Sequence, residues 1–553
     1  MRALLTTICL LLALPVLGVL GSWLFADAAA WEVLRHQART VLPDYALQSA
    51  LLAGGVAIGV MLVGTGTAAA VTLFDFPGRR FFEWALLLPL AMPAYVLAYA
   101  WTDALQYSSP LQEGLRRLLG VRGALWPDVR SLWGAVLLFV LCLYPYVYLL
   151  ARTALGERAV QLLEAARLLG AGPWRRILQV ALPLARPAIM AGVALAMMET
   201  LADYGVSAYF GLATFSTGIF KAWLIMNDGI AAAQLASVLL AVVALLLAAE
   251  RAAQRRLRFA ASRSGAPHAA DARALPLHGG AGLLAFGLCA LPVLLGFVLP
   301  VAWLGWMLWQ EAHNAQFGLP LARFAEWSWA TLRLSGIAAV LASTLALAVA
   351  FTLRRSGGRT LRIAARALSL GYAMPGAVLA VGILLPVGWL QQRWPQAPVA
   401  AIATGTLAGV MLAYLSRFSS VALQSIDSGY ARVPPSVDET ARTLGAGAWR
   451  MFARLHAPLL RRSALAAALL VFVDTMKELP ATLVLRPFGS DTLAVVAFNF
   501  ARDERLGEAA LPSLAIVAVG LVPVIMLSRA LRSSADRRAA VVPPAGIEPA
   551  SGA

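Results

Sequence analysis

The chain has 553 residues, of which 60% are hydrophobic and 13% charged, with a mean hydropathy of +0.75. A soluble chain would carry roughly 25% charged residues, so a soluble globular class is excluded. The formal charge of +17 does not point to nucleic acid, because the basic residues fall in short loops between apolar runs, where the positive-inside rule wants them. The runs lack the apolar–polar alternation of barrel strands. The expected class is an all-α polytopic membrane protein resting in membrane lipid.

In chain order, twelve apolar segments are long enough to span a bilayer as helices of about 20 residues. They cover about 3–25, 47–74, 84–102, 131–151, 184–202 and 231–249, then 283–309, 331–353, 367–390, 398–416, 463–477 and 509–528. The first is followed by Ala26-Asp27-Ala28, small residues at a cleavage spacing, but the run exceeds a signal peptide's usual h-region of about 7–15 residues. It reads as a retained helix. With the N-terminus inside, 31 of the 45 Lys and Arg residues fall in inside segments and 14 elsewhere, which predicts cytoplasmic N- and C-termini. Residues 251–282 form a basic Ala/Gly/Pro-rich linker, and 531–553 read as a disordered tail. The organisation expected is one half over 1–250 and a second over 283–530. Cys9, Cys142 and Cys289 lie in separate apolar runs with no CxxC and read as packing residues.

The two halves share detail. EAARLLGAGPWRR at 164–176 matches ETARTLGAGAWRM at 439–451, an offset of 275, and twelve identities fall between Glu164 and Arg186. AMPAYVLA at 91–98 matches AMPGAVLA at 373–380 at offset 282. The chain therefore reads as two copies of a six-span unit in the same orientation. Within each polar stretch, over 157–183 and 432–458, the residues predict a helical hairpin. Leu162, Ala166 and Leu169 recur at helical spacing, as do Val437, Ala441 and Leu444, and each set predicts an apolar stripe. Ser436 with Glu439 predicts a capping box. Gly170 and Gly445 stand where the first helix should stop with positive φ. Trp174-Arg175 and Trp449-Arg450 open the second helix, and Pro183 and Pro458 mark re-entry into the membrane. An amphipathic hairpin on lipid headgroups needs only charge and an apolar face. Repetition of the same Glu, Gly-Ala-Gly and Trp-Arg favours docking of each copy on a partner of one shape.

These stretches resemble the signature loop of ABC importer permeases: E-A-A, three residues, Gly, nine residues, Ile, one residue, Leu-Pro. The first copy has Glu164-Ala165-Ala166, Gly170, Val180 in the Ile position and Leu182-Pro183. The second has Thr440, Leu455 and Ala457 as departures and keeps Gly445 and Pro458. The segments 199–223 and 474–512 narrow the resemblance to the fused permease of ferric iron importers. The resemblance implies that the hairpins dock in two copies of a cytoplasmic ABC ATPase, through Glu164, Ala166, Gly170, Gly172 and Trp174 in the first and Glu439, Ala441, Gly445, Gly447 and Trp449 in the second. It implies delivery of cargo by a periplasmic binding protein, a place in the bacterial inner membrane, and ATP on the partner subunits only. No GxxxxGK[ST] occurs, so this chain carries no P-loop of its own and is expected not to be an enzyme or to hold a cofactor.

A hard ferric cargo favours oxygen ligands. The candidates for its path are Glu199, Asp203, Tyr204, Asp474 and Glu478, with Tyr209 beside them; no metal ligand set is fixed. The competing expectation puts Asp203, Lys477 and Glu478 at the outer headgroup level, capping and pairing, and makes Glu199 and Asp474 an interhelical polar contact. His456, alone in its hairpin, is expected not to be a ligand. Thiamine or another small solute, or a 6+6 secondary transporter without docking loops, are the alternatives.

Overall fold

The computed structural model describes residues 2–25, 27–156, 166–262, 275–314 and 319–540. It is helical almost throughout. Among the described residues, eight helices are long and apolar enough to cross a membrane: Leu42–Leu73, Leu132–Ala154, Ile177–Ala202, Gly229–Ala252, Gly280–His313, Leu321–Arg355, Leu407–Tyr430 and Leu506–Met526. Two further pairs pass together but are bent, by 50° between Arg2–Leu12 and Leu14–Leu24 and by 91° between Arg79–Ala91 and Ala94–Leu119. The other two expected spans are the helices Gly376–Arg393 and Ala457–Lys477. Their polar residues, Gln391 to Arg393 in one and Arg461, Arg462, Asp474 and Lys477 in the other, make them less apolar.

The third span of each half is not the continuous helix that hydropathy predicts. In 84–102 the helix Arg79–Ala85 gives way to a 3-10 turn at Leu88–Ala91, and a new helix starts at Ala94. In 367–390 the turn Gly371–Ala373 separates Arg359–Leu368 from Gly376–Arg393. The cause is the repeated Ala-Met-Pro. A residue before proline is driven out of the helical region, and Met92 (ψ 112°) and Met374 (ψ 127°) are both extended. The fourth span of the second half also departs from 398–416. Thr406 is extended and caps a helix that runs Leu407–Tyr430, after a separate short helix Val399–Gly405.

The repeat extends to irregularities. A π-turn occupies Ile177–Ala181 and another Phe452–His456, 275 residues on. Pro183 and Pro458 explain both. A proline inside a helix cannot donate to the carbonyl four residues back and its ring clashes there, and one widened turn relieves the conflict.

Glycines bring the helices of the first half together. A Cβ on Gly64 would meet the Val147 side chain at 2.6 Å, and one on Gly192 would meet the Val147 Cα at 2.7 Å. Small residues permit this close approach between helices in lipid. The first span of each half packs on the other half. Leu14–Gly21 lies on Gly376–Arg393, so tightly that a Cβ on Gly18 would meet the Gly382 carbonyl oxygen. In return, Trp101 donates to the Leu295 carbonyl at 3.0 Å and Trp303 to Asp103 at 2.9 Å. Cys289 and Val293 belong to the apolar core of the first half, and Leu5 and Cys9 to that of the second. The three cysteines are free and buried. A short parallel pairing of Phe74–Asp75 with Leu275–Pro276 ties the end of the linker to the loop after the second span, two segments that the Lys/Arg count puts on one side.

Candidate functional site

The broken third spans leave a cavity of about 170 Å³ where the halves meet. The break at Met92-Pro93-Ala94 forms one wall, with Tyr95, Phe139, Cys142 and Tyr146. Glu199, Asp203, Asp474 and Glu478 line it, together with Tyr372, Arg417 and Lys477. Four of the five expected path residues thus converge. The fifth, Tyr204, is not in the lining; its ring stacks on Phe220 at 3.9 Å. Tyr209 is elsewhere too, accepting from Arg130 at 3.0 Å and packed on Tyr99.

Asp203 and Glu478 are repeat partners, and each caps a short helix. Asp203 accepts from the Val206 amide at 2.9 Å. Glu478 accepts from the amides of Ala481 and Thr482, both at 3.0 Å, and from the Thr482 hydroxyl at 2.6 Å. The capping expectation holds, and both carboxylates line the cavity because the chain breaks there and needs side-chain acceptors for exposed helix-start amides. Gly376 is required beside them, since a Cβ there would lie 2.6 Å from Glu478 Oε1.

Pairing differs between the halves. Glu478 meets Arg417 at 3.5 Å, and Asp474 meets Lys477 at 3.7 Å. In the first half the aligned positions are Cys142 and Ala202, which carry no charge. Cys142 donates instead to the Met92 carbonyl at 3.0 Å. Glu199 accepts from the Tyr372 hydroxyl at 3.4 Å. Arg417 falls one residue beyond the span 398–416 expected from hydropathy. It sits within the helix Leu407–Tyr430 and faces the cavity. The signal that could have found it is the repeat register, which places it opposite Cys142 in mid-span.

Of the first hairpin, 157–165 lie outside the described residues, and with them Glu164 and Leu162. The rest turns as expected. Gly170 has φ 78° and Gly445 φ 73°. Ala171 donates to Ala166 and Gly170 to Arg167; Ala446 donates to Ala441 and Gly445 to Arg442, all at 3.0 Å. This double closure satisfies the free carbonyls at a helix end. One expectation fails. Ser436 does not cap, because Pro435 opens the helix and Pro434 stands at the cap, leaving Ser436 inside the first turn. In the apolar stripe Leu169 and Leu444 are 88% and 78% exposed. Ala166, Val437 and Ala441 are half-buried; Glu439, Gly170, Gly172, Gly445 and Gly447 are exposed, and Trp449 is 77% exposed. Trp174 lies in the turn Pro173–Arg176. Contiguous exposed apolar side chains on a polar hairpin mark an interaction face.

Residues 61–259 match the family described as binding-protein-dependent transport system inner membrane component. The chain is 24% identical over 478 residues to a ferric-iron transport system permease protein of Haemophilus influenzae, covering 86% of this chain and 87% of that one. It is 27% identical over 253 residues to the sulfate transport system permease protein CysT of Escherichia coli K12, covering 43% and 86%. It is 33% identical over 135 residues to the molybdenum transport system permease protein ModB of the same strain, covering 24% and 57%. The chain is thus a multi-pass helical membrane protein, similar over most of its length to a permease protein and over residues 61–259 to inner membrane components of binding-protein-dependent transport systems.

Proposed function

We propose that this permease forms the whole pore of a ferric iron importer, with both termini in the cytoplasm and one ATPase copy on each hairpin. The observation that carries the cargo reading is the charge of the cavity. Four carboxylates line it against two cations, so its formal balance favours a cation over the oxyanions suggested by the names of the sulfate and molybdenum relatives. A field of one sign in a low-dielectric cavity raises the local concentration of counter-ions. Among the described residues, no three His, Cys, Asp or Glu side chains lie close enough to hold a metal ion.

ATP binding would draw the ATPase copies together and move the hairpins with them. The halves would then rock about the cavity, opening it to the binding protein outside, and hydrolysis would return it to the cytoplasm. Glu164 and Glu439 would make polar contacts in the ATPase cleft, and Leu169, Leu444 and Trp449 would fill it. The test is uptake of radioactive ferric iron by iron-starved cells with and without the gene, with unlabelled thiamine as competitor. Gene-dependent uptake that thiamine does not reduce is expected. Unchanged iron uptake in the deletion strain would overturn the iron reading and make thiamine the next cargo to test.

A further inference from the structure

Beneath the second hairpin lies a buried polar cluster that the transport path does not use. The Arg354 guanidinium donates through Nε to Asp438 and through its terminal nitrogens to three backbone carbonyls, Tyr430 at 3.2 Å, Val433 at 2.8 Å and Pro434 at 3.1 Å. It also lies 5.1 Å from the centre of the Tyr430 ring. Asp438 is the buried residue of the hairpin's first helix, with its side chain 8% exposed. Its other oxygen faces His456 Nε2 at 3.3 Å, and that imidazole sits between Phe351 and Tyr430, with ring centres 5.2 and 5.5 Å away.

Three segments meet here: the end of the membrane helix Leu407–Tyr430, the elbow 431–434 and the docking helix Pro435–Thr443. One side chain, from a fourth element, holds them all. Arg354 is at the end of Leu321–Ser356, a helix of 36 residues. At a rise of 1.5 Å per residue that helix is about 54 Å long, longer than the bilayer is thick. Near its other end the Thr331 hydroxyl accepts from the Leu493 amide at 2.9 Å. A push on the docking helix therefore reaches a rigid rod that touches the opposite end of the molecule. Only a planar fork of five donors can engage a carboxylate and three carbonyls together.

The first half does not have the parts. In the repeat register Leu163 stands for Asp438 and Ala181 for His456, and the end of the second span reads Thr72-Leu73-Phe74 where the second half has Arg354. The two hairpin sequences match at their docking residues and differ at these positions.

We propose that Arg354 is a positioning residue for transport: it fastens the second docking hairpin to the helix Leu321–Ser356 and transmits the ATPase stroke through the second half more stiffly than the first half does. The inference rests on the reading of the hairpins as ATPase docks. The test uses the full complex of this permease, its ATPase and its binding protein in liposomes, with cargo uptake and ATP hydrolysis measured together for the wild type, Arg354→Gln and Arg354→Lys. Both variants are expected to retain the ATPase and to hydrolyse ATP. Uptake per ATP should fall roughly tenfold in Arg354→Gln, within the range of coupling between linked sites. It should be partly restored in Arg354→Lys, which keeps the charge on Asp438 but not the fork. A wild-type ratio of uptake to ATP in either assembled variant overturns the proposal. Should Arg354→Gln fail to assemble, the Lys variant decides alone by the same ratio. A wild-type permease that does not retain the ATPase strikes the docking reading instead, a different failure with a different signature.

Discussion

Two glycines two residues apart in sequence, Gly445 and Gly447, separate backbone geometry from packing in the docking turn. Gly445 has φ 73°, and Gly447, the residue before the second hairpin helix, has φ −67°. A Cβ at either would meet nothing within 4 Å. The cost of alanine at Gly445 is therefore backbone strain alone, about 1–2 kcal/mol for a non-glycine residue held in the left-handed region. At Gly447 alanine adopts the existing conformation without strain. If the turn must be closed for docking, Gly445→Ala should weaken ATPase binding by up to roughly tenfold, the factor that 1.4 kcal/mol represents. Gly447→Ala should bind like the wild type. Asn at 445 should lie between, since Asn tolerates this region better than alanine. The assay is titration of the ATPase onto the permease in nanodiscs. Equal affinities for the two alanine variants would refute the argument, because they would show that the closed turn is not what the ATPase recognises.

Two further outcomes follow from the cavity and from helix packing. Glu199→Gln should reduce cation uptake more than Asp474→Asn, because Asp474 is already paired with Lys477 at 3.7 Å whereas the aligned residue beside Glu199 is uncharged Ala202; iron uptake by reconstituted complex checks the order. Gly192→Ala should destabilise the permease in detergent by about 1–3 kcal/mol, the usual cost of overpacking, since its Cβ would meet backbone at 2.7 Å. That exceeds the gain of about 1 kcal/mol in helix propensity. Gly336→Ala, in a helix with nothing near the new Cβ, should not lower the melting midpoint.

What the sequence displayed and what it hid divide along a physical line. Local chemistry was legible. The positive φ of Gly170 and Gly445 could be read from a glycine at the end of an apolar spacing, because only local sterics decide it. The convergence of Glu199, Asp203, Asp474 and Glu478 could be anticipated because charge inside a span is costly and the repeat pairs these positions. The breaks at Met92-Pro93 and Met374-Pro375 were present in the residues, but a hydropathy window averages over a proline and reports one span. The capping box failed for a similar reason: Ser436 and Glu439 have the right spacing, yet the helix starts two residues earlier, at Pro435 with Pro434 at the cap. The exchange of first spans between halves could not be read at all. A helix that is apolar all round, as Gly280–Val293 is, carries no stripe to say which neighbour it meets.

The departures from the repeat are more informative than the matches. Two copies of one unit would place the same groups on both walls of the cavity, and the carboxylates obey this: Glu199 with Asp474, Asp203 with Glu478. The cations do not. Arg417 and Lys477 occur on one wall, opposite Cys142 and Ala202. A symmetric cavity of four unpaired acids would hold a cation too strongly to release it, and four paired acids would not attract one. Partial neutralisation of one wall lies between these limits. The same half also carries Arg354 and Asp438 under its hairpin, where the first half has uncharged residues. The first half has its ion pairs elsewhere, Arg152 with Glu83 among them, whereas at these aligned positions the second half is charged both at the cavity and at the dock. Both sets of ion pairs brace elements within that half: Arg417 ties Leu407–Tyr430 to the cap of Pro480–Leu485, and Arg354 ties Leu321–Ser356 to the hairpin. The first-half carboxylates Glu199 and Asp203 are held by a hydroxyl and by backbone amides, with no cation at the aligned positions Cys142 and Ala202. If the cargo is a cation, as proposed, the second half would be the braced lever and the first the wall against which the cation is held.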